Sequence, residues 1–126
     1  MAKDVRKAES DNFLGKAEEF CLSAMENYQK GRFNASIFDS SQSIILANDA
    51  LCVFALGRRA SKYHREAVRF HVEACAGKES RKEIVTEALE KRGKFGYTQV
   101  DCTEKDANLL LVRTKRFIEW VKTKTG

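Results

Sequence analysis

From Phe33 to Leu56 the chain carries apolar and small residues at three- and four-residue steps. Ile37, Ser41, Ile44, Ile45, Asn48, Leu51, Cys52 and Ala55 fall on one face of a helix. From Ile44 onward the stretch is apolar on nearly every side, and a helix apolar all round is covered by several neighbours. Ala35, Ser36, Ser40, Ser41, Ser43, Ala47 and Ala50 keep its girth small. Gly31 precedes it and Gly57 follows it, the second in the usual stop position. This is the expected central helix of a bundle. It is too short, and too polar at Asp39, Gln42, Asn48 and Asp49, to span a membrane.

The same period recurs on both sides. Met1–Lys30 reads as one long helix, or a short one and a long one, with Phe13, Ala17, Phe20, Cys21, Ala24 and Tyr28 as its stripe. Ser10 or Asp11 is the expected cap of its main part. The short connection Gln29–Arg32 implies that the first two helices run antiparallel. After the polar loop Arg58–Lys62, a third helix is predicted from about Tyr63 to Ala76, with Ala67, Phe70, His71, Ala74 and Cys75 inward and Gly77 as its stop. A fourth is predicted from Ser80, with Glu83 at the capping-box position, to about Arg92. Ile84, Val85, Ala88 and Leu89 form its apolar face. Gly93–Cys102 carries no helical period and reads as a loop. Thr103 then caps a last helix with the stripe Ala107, Leu110, Leu111, Thr114, Phe117, Ile118 and Val121.

Composition agrees. The chain has 126 residues and no proline, where average usage would give about six. Strand signals are absent. The expectation is a single all-α domain over residues 1–126, an up-and-down bundle of four to five helices. The net charge is +5 and is concentrated between Gly57 and Lys94, where eleven Lys/Arg face six Glu. Such a surface favours anionic partners, phosphates or nucleic acid. Glu and Lys/Arg also interleave there at helical spacing, as on any solvated face. Cys21, Cys52, Cys75 and Cys102 show no paired spacing of a zinc site, and the first three lie on apolar faces. Free thiols and charged residues 1–12 with no apolar segment place the chain, as an expectation, in the cytoplasm.

Few residues offer chemistry. His64 and His71 lie seven apart on the third helix, but no metal motif surrounds them, and no metal or cofactor is expected. His71 alternates with core positions and reads as a packed, hydrogen-bonded histidine. Arg59 and His64, five apart, are residue types that cleave RNA without metal. The histidine takes the 2′-hydroxyl proton and the arginine stabilises charge on the phosphate. The plainer reading is a loop arginine and a helix-starting histidine. Arg92, Lys94, Phe95 and Tyr97 flank glycines, a composition suited to holding a phosphate and stacking a base. It equally suits a connection whose aromatics plug the end of a bundle.

These segments, in this order, resemble the HEPN domain family. Lys16–Phe20 with Ala24 is similar to the family's first long helix, and Gly31–Ala35 to its turn into the second. His64–Val68 is similar to the start of its third helix. Lys91–Tyr97 followed by Thr103–Ala107 resembles the segment leading into its final helix. The resemblance implies a helical bundle, commonly a homodimer, often beside a minimal nucleotidyltransferase. Its catalytic members are metal-independent ribonucleases, often toxins, with an arginine and a histidine separated by four to six residues. Carried over, the arginine is Arg92, and Tyr97 stands in the histidine's place. A phenol keeps its proton at neutral pH and is a poor general base.

The leading expectation is a non-catalytic or weakly active member of a toxin–antitoxin-like system. It would bind a nucleotide or RNA phosphate through Arg92, Lys94 and Tyr97, with a nucleotidyltransferase as partner and Tyr97 as one acceptor for a nucleotidyl group. The alternatives are a ribonuclease using Arg59 or Arg92 with His64, and a purely structural interaction module. Leu46, Val53 and Phe54, on the outer side of the central helix, are the one hint of a dimer surface, and core packing is the other reading of them.

Overall fold

A computed structural model describes residues 2–60 and 64–126, with the side chains of residues 2–4 and 64 outside the description. Its elements are α1 (Ala2–Gln29), α2 (Phe33–Leu56), α3 (His64–Cys75), α4 (Lys82–Gly96) and α5 (Glu104–Thr125). No strand occurs among the described residues, and no helix there is long and apolar enough to cross a membrane. The all-α bundle is as the periodicity predicts. Of the five helices, α2 alone brings its backbone close to all four others.

The closest packing is between α1 and α2. Ala17, Ala24, Ala47 and Ala50 are fully buried, so little side-chain bulk holds the two backbones apart. Serine hydroxyls bridge the gap. Ser36 Oγ donates to Ala24 O at 2.8 Å, Ser43 Oγ to Ala17 O at 2.6 Å, and Ser10 Oγ to Ala50 O at 2.8 Å. In each pair the two residue numbers add to 60, the signature of an antiparallel register held over the whole contact. Each acceptor carbonyl uses a second lone pair beside its helical bond.

Ser10 is therefore a mid-helix bridge and not a cap, and α1 runs unbroken from Ala2. Asp11, the other expected cap, instead accepts from Lys7 Nζ at 2.9 Å. Val53 is buried, and Leu46 and Phe54 are half-buried within the monomer, so this trio is not the open surface expected for a dimer. Gly57 stops α2 as predicted. Its φ of 73° is the left-handed cap conformation, and its N–H bonds Val53 O.

In the C-terminal half of α2 a polar cluster is buried. Asn48 Nδ2 donates to Ala67 O at 3.1 Å, which turns Oδ1 toward His71 Nδ1 at 2.8 Å. His71 Nε2 accepts the N–H of Arg81 at 2.9 Å. Both constraints put the ring proton on Nδ1. Histidine burial lowers the pKa to about 4. The captured Arg81 N–H also explains a boundary. It holds residue 81 outside the helix (φ −118°, ψ 35°), so α4 begins at Lys82 and Ser80 does not cap it. Beside this cluster Asp49 is buried, and burial raises its pKa to about 7 despite Arg59 at 3.6 Å.

Two outcomes follow from this packing. Ser43→Ala loses one bridge, about 1 kcal/mol. Ser43→Leu forces the helices apart and loses about 1–3 kcal/mol more in urea denaturation; equal losses for the two variants would contradict the close approach. The buried Asp49 and His71 give opposite pH slopes. Asp49 resists ionisation when folded, so its contribution is lost as pH rises from about 4 to about 7. His71 resists protonation when folded, so its contribution is lost as pH falls from about 6.5 to about 4. Asp49→Asn removes only the first. The variant is expected to be more stable than wild type by about 1–3 kcal/mol at pH 7.5, with the gap closing toward pH 4. A gap independent of pH would show that Asp49 is ionised throughout.

Candidate functional site

α4 does not end at Arg92. It continues through Gly93 and Lys94 to Gly96, and Tyr97 N–H bonds Gly93 O at 3.2 Å. The segment expected to be a glycine-rich loop is thus the last turn of a helix. Buried Phe95 is the anchor that carries the helix past Gly93. Between α4 and α5 only residues 97–103 are irregular.

That extra turn assembles a small cluster. Arg92 Nη2 donates to Tyr97 Oη at 3.3 Å. The guanidinium carbon lies 5.5 Å from the Phe38 ring centre and 5.7 Å from that of Tyr97. The two rings meet edge to face at 6.0 Å. Arg92 is half-buried, whereas Tyr97 is 69% exposed. Its phenol oxygen accepts from Arg92.

Each part of the cluster is held by a neighbouring element. Phe38 projects from the N-terminal half of α2. Asn34, one turn earlier, clamps the irregular segment. It donates to Asp101 Oδ1 at 3.0 Å and accepts from Cys102 N at 2.7 Å. Thr98 Oγ1 bonds Lys94 O, and Val100 N–H bonds Thr98 Oγ1 at 3.2 Å. Thr103 caps α5 as predicted, accepting from Asp106 N at 3.1 Å. Gly96 lets Phe38 approach, since a Cβ there would fall 2.5 Å from Phe38 Cδ2. One turn beyond Phe38, the buried Gln42 Oε1 has no hydrogen-bond partner among the described residues.

Of the residues expected to act together, Arg92 and Tyr97 are joined. Lys94 is not part of the cluster. It lies two residues from Arg92 on the same helix, which turns it to another face, and its Nζ sits 5.1 Å from the Phe95 ring centre. Arg59 is elsewhere. It pairs with Asp49 and stacks 4.9 Å from the Phe13 ring centre. Asp49 lies eleven residues after Phe38 on α2, about 16 Å along the axis. The side chain of His64 lies outside the described residues, so neither its pairing with Arg59 nor that with Arg92 is described. Phe38 and Gly96 were not identified from sequence. A large ring among Ser36, Ser40 and Ser41 was the available signal for the first.

The five-helix bundle, with an arginine at the end of its fourth helix and an irregular lead into the last, defines a class of small helical domains. The HEPN domain model matches residues 10–124, nearly the whole chain, and the protein belongs to the HEPN family. No curated protein matches the sequence.

Gly96→Ala separates packing from propensity. Alanine favours a helix over glycine by about 1 kcal/mol. Contact with Phe38 opposes this, and the expected net effect is a loss of about 1–3 kcal/mol with shifted Phe38 and Tyr97 ring resonances in the NMR spectrum. A more stable variant with unchanged ring resonances would show that Phe38 does not pack on Gly96.

Proposed function

We propose that this HEPN protein binds single-stranded RNA or a nucleotide at the Arg92 cluster, with little or no cleavage of its own. It acts as a homodimer beside a nucleotidyltransferase in a toxin–antitoxin-like pair. The observation that carries the binding reading is Arg92, fixed between Phe38 and the exposed Tyr97. A guanidinium matches the geometry of phosphate oxygens. An exposed aromatic ring beside it is a platform for a base, and stacking of this kind tolerates any sequence. Dimerisation and the nucleotidyltransferase partner rest on family membership.

Cleavage needs a base near the 2′-hydroxyl. The cluster offers Tyr97 where catalytic relatives of this family have histidine. The low-activity reading rests on that difference.

The test is binding of a short single-stranded RNA by fluorescence anisotropy, alongside a cleavage assay in EDTA. Arg92→Ala is expected to weaken binding at least tenfold, about 1.4 kcal/mol. Tyr97→Ala loses about 1–3 kcal/mol, and Tyr97→Phe stays close to wild type because the ring is kept. Wild type leaves the RNA intact. Binding that survives Arg92→Ala would overturn the site, and metal-free cleavage lost in His64→Ala would establish the ribonuclease reading instead.

A further inference from the structure

The α4–α5 side of the bundle carries a second basic, aromatic surface. α4 and α5 run antiparallel, because Arg113 Nη1 reaches both carboxylate oxygens of Glu87 at 2.7 and 2.6 Å while Arg81 lies over Trp120. Among neighbouring helices they have the least direct backbone contact. The gap is a groove of about 350 Å³ lined by Arg81, Ile84, Arg113, Arg116, Phe117 and Trp120.

Its floor is rigid. The Trp120 indole stacks on Phe117 at 5.7 Å, and both rings meet His71, at 5.5 and 6.0 Å. His71 is itself fixed by Asn48 and by the Arg81 N–H. Trp120 is only half-buried, so part of the indole faces the groove.

Cations surround this platform. The Arg81 guanidinium carbon lies 5.1 Å and Lys124 Nζ 5.7 Å from the Trp120 ring centre. Among the described residues the one ion pair of Arg81 is with Glu79, which is 84% exposed, so that pair is screened and readily exchanged. Arg116 is exposed and makes no ion pair among the described residues. Arg113 is the one cation firmly engaged, on Glu87.

We infer that this groove is a second nucleotide subsite, in which Trp120 stacks a base of single-stranded RNA while Arg116 and Arg81 hold the adjoining phosphate. The inference deepens the RNA-binding reading and rests on it for the class of ligand. A flat, preordered indole suits a base better than an acidic side chain, which needs charge but no ring. Guanidinium groups beside it match phosphate geometry. The groove is separate from the Arg92 cluster. Arg81, at the start of α4, precedes Arg92 by eleven residues, about 16 Å along the helix axis.

The chain has one tryptophan, so its fluorescence reports on this groove directly. A short oligoadenylate is titrated into the full protein while anisotropy records total binding and Trp120 emission records the groove. The expected result is saturable quenching that tracks the anisotropy. Arg116→Gln weakens the quenching transition severalfold and lowers the slope of log affinity against log salt by about 0.7. Arg92→Ala weakens total binding yet leaves the quenching at saturation intact. Binding seen by anisotropy with unchanged Trp120 emission overturns the groove and leaves the Arg92 site standing. Quenching and binding both indifferent to Arg92→Ala overturn the Arg92 site and keep the groove. No binding by either readout overturns both. Equal quenching by an oligoglutamate that displaces the RNA overturns base recognition. Because Arg116 is exposed, the variant is expected to retain the wild-type circular dichroism spectrum and melting temperature.

Discussion

The close approach of α1 and α2 is the constraint on which the other contacts depend. It needs small residues on both helices and a way to satisfy hydroxyls in a dry interface. The serine-to-carbonyl bridges meet both needs, because a serine adds little volume and donates to a carbonyl already in place. Three such bonds at one register fix the sliding position of the helices as well as their separation. A one-turn slip would bring larger side chains of α1 against these serines and lose the close approach on which each bond depends.

With α1 and α2 locked, α2 divides the remaining labour along its length. Its first turns hold Asn34 and Phe38, which receive the end of α4 and the irregular lead into α5. Its later turns hold Asn48, which receives α3 through Ala67 and His71. His71 then passes the constraint on, through the Arg81 N–H to the start of α4 and through Phe117 and Trp120 to α5. Both ends of α4 are therefore set by residues of α2, one through an aromatic contact and the other through a hydrogen-bonded chain.

The helices were legible in sequence because each carries a strong apolar period. The α5 stripe is buried residue for residue as predicted, from Ala107 to Val121. Boundaries set by tertiary contacts were not legible. Ser80 looks like a cap locally, but His71 takes the next N–H and moves the helix start. Gly93 looks like a stop, but buried Phe95 carries the helix past it. The site was half legible. Arg92 and Tyr97 are close in sequence and stay close in space. Phe38 reaches them only because α2 packs on α4, a long-range contact that no local spacing encodes. Lys94 lies apart from the pair for a local reason that spacing does encode, since residues two apart on a helix point to different faces.

The charge excess between Gly57 and Lys94 takes on a clearer meaning once the rings are placed. A solvated face would spread its arginines among glutamates at helical spacing, and Arg58 with Glu73 and Arg81 with Glu79 follow that rule in part. Yet Arg58, Arg59, Arg69, Arg81 and Arg92 each lie within 5.7 Å of an aromatic centre. A guanidinium on a ring is held flat and keeps its N–H edge outward, whereas one in solvent samples many rotamers. Holding it there removes in advance part of the side-chain entropy that binding a phosphate would otherwise cost. The rings differ in what they leave open. Phe70 is buried and Phe13 is half-buried, so there the stack serves packing. Tyr97 is exposed and Trp120 half-buried beside a groove, so at these two the ring itself remains available. An ordered arginine next to an accessible ring occurs at both ends of α4, and this pairing, more than the net charge, supports a nucleic-acid ligand.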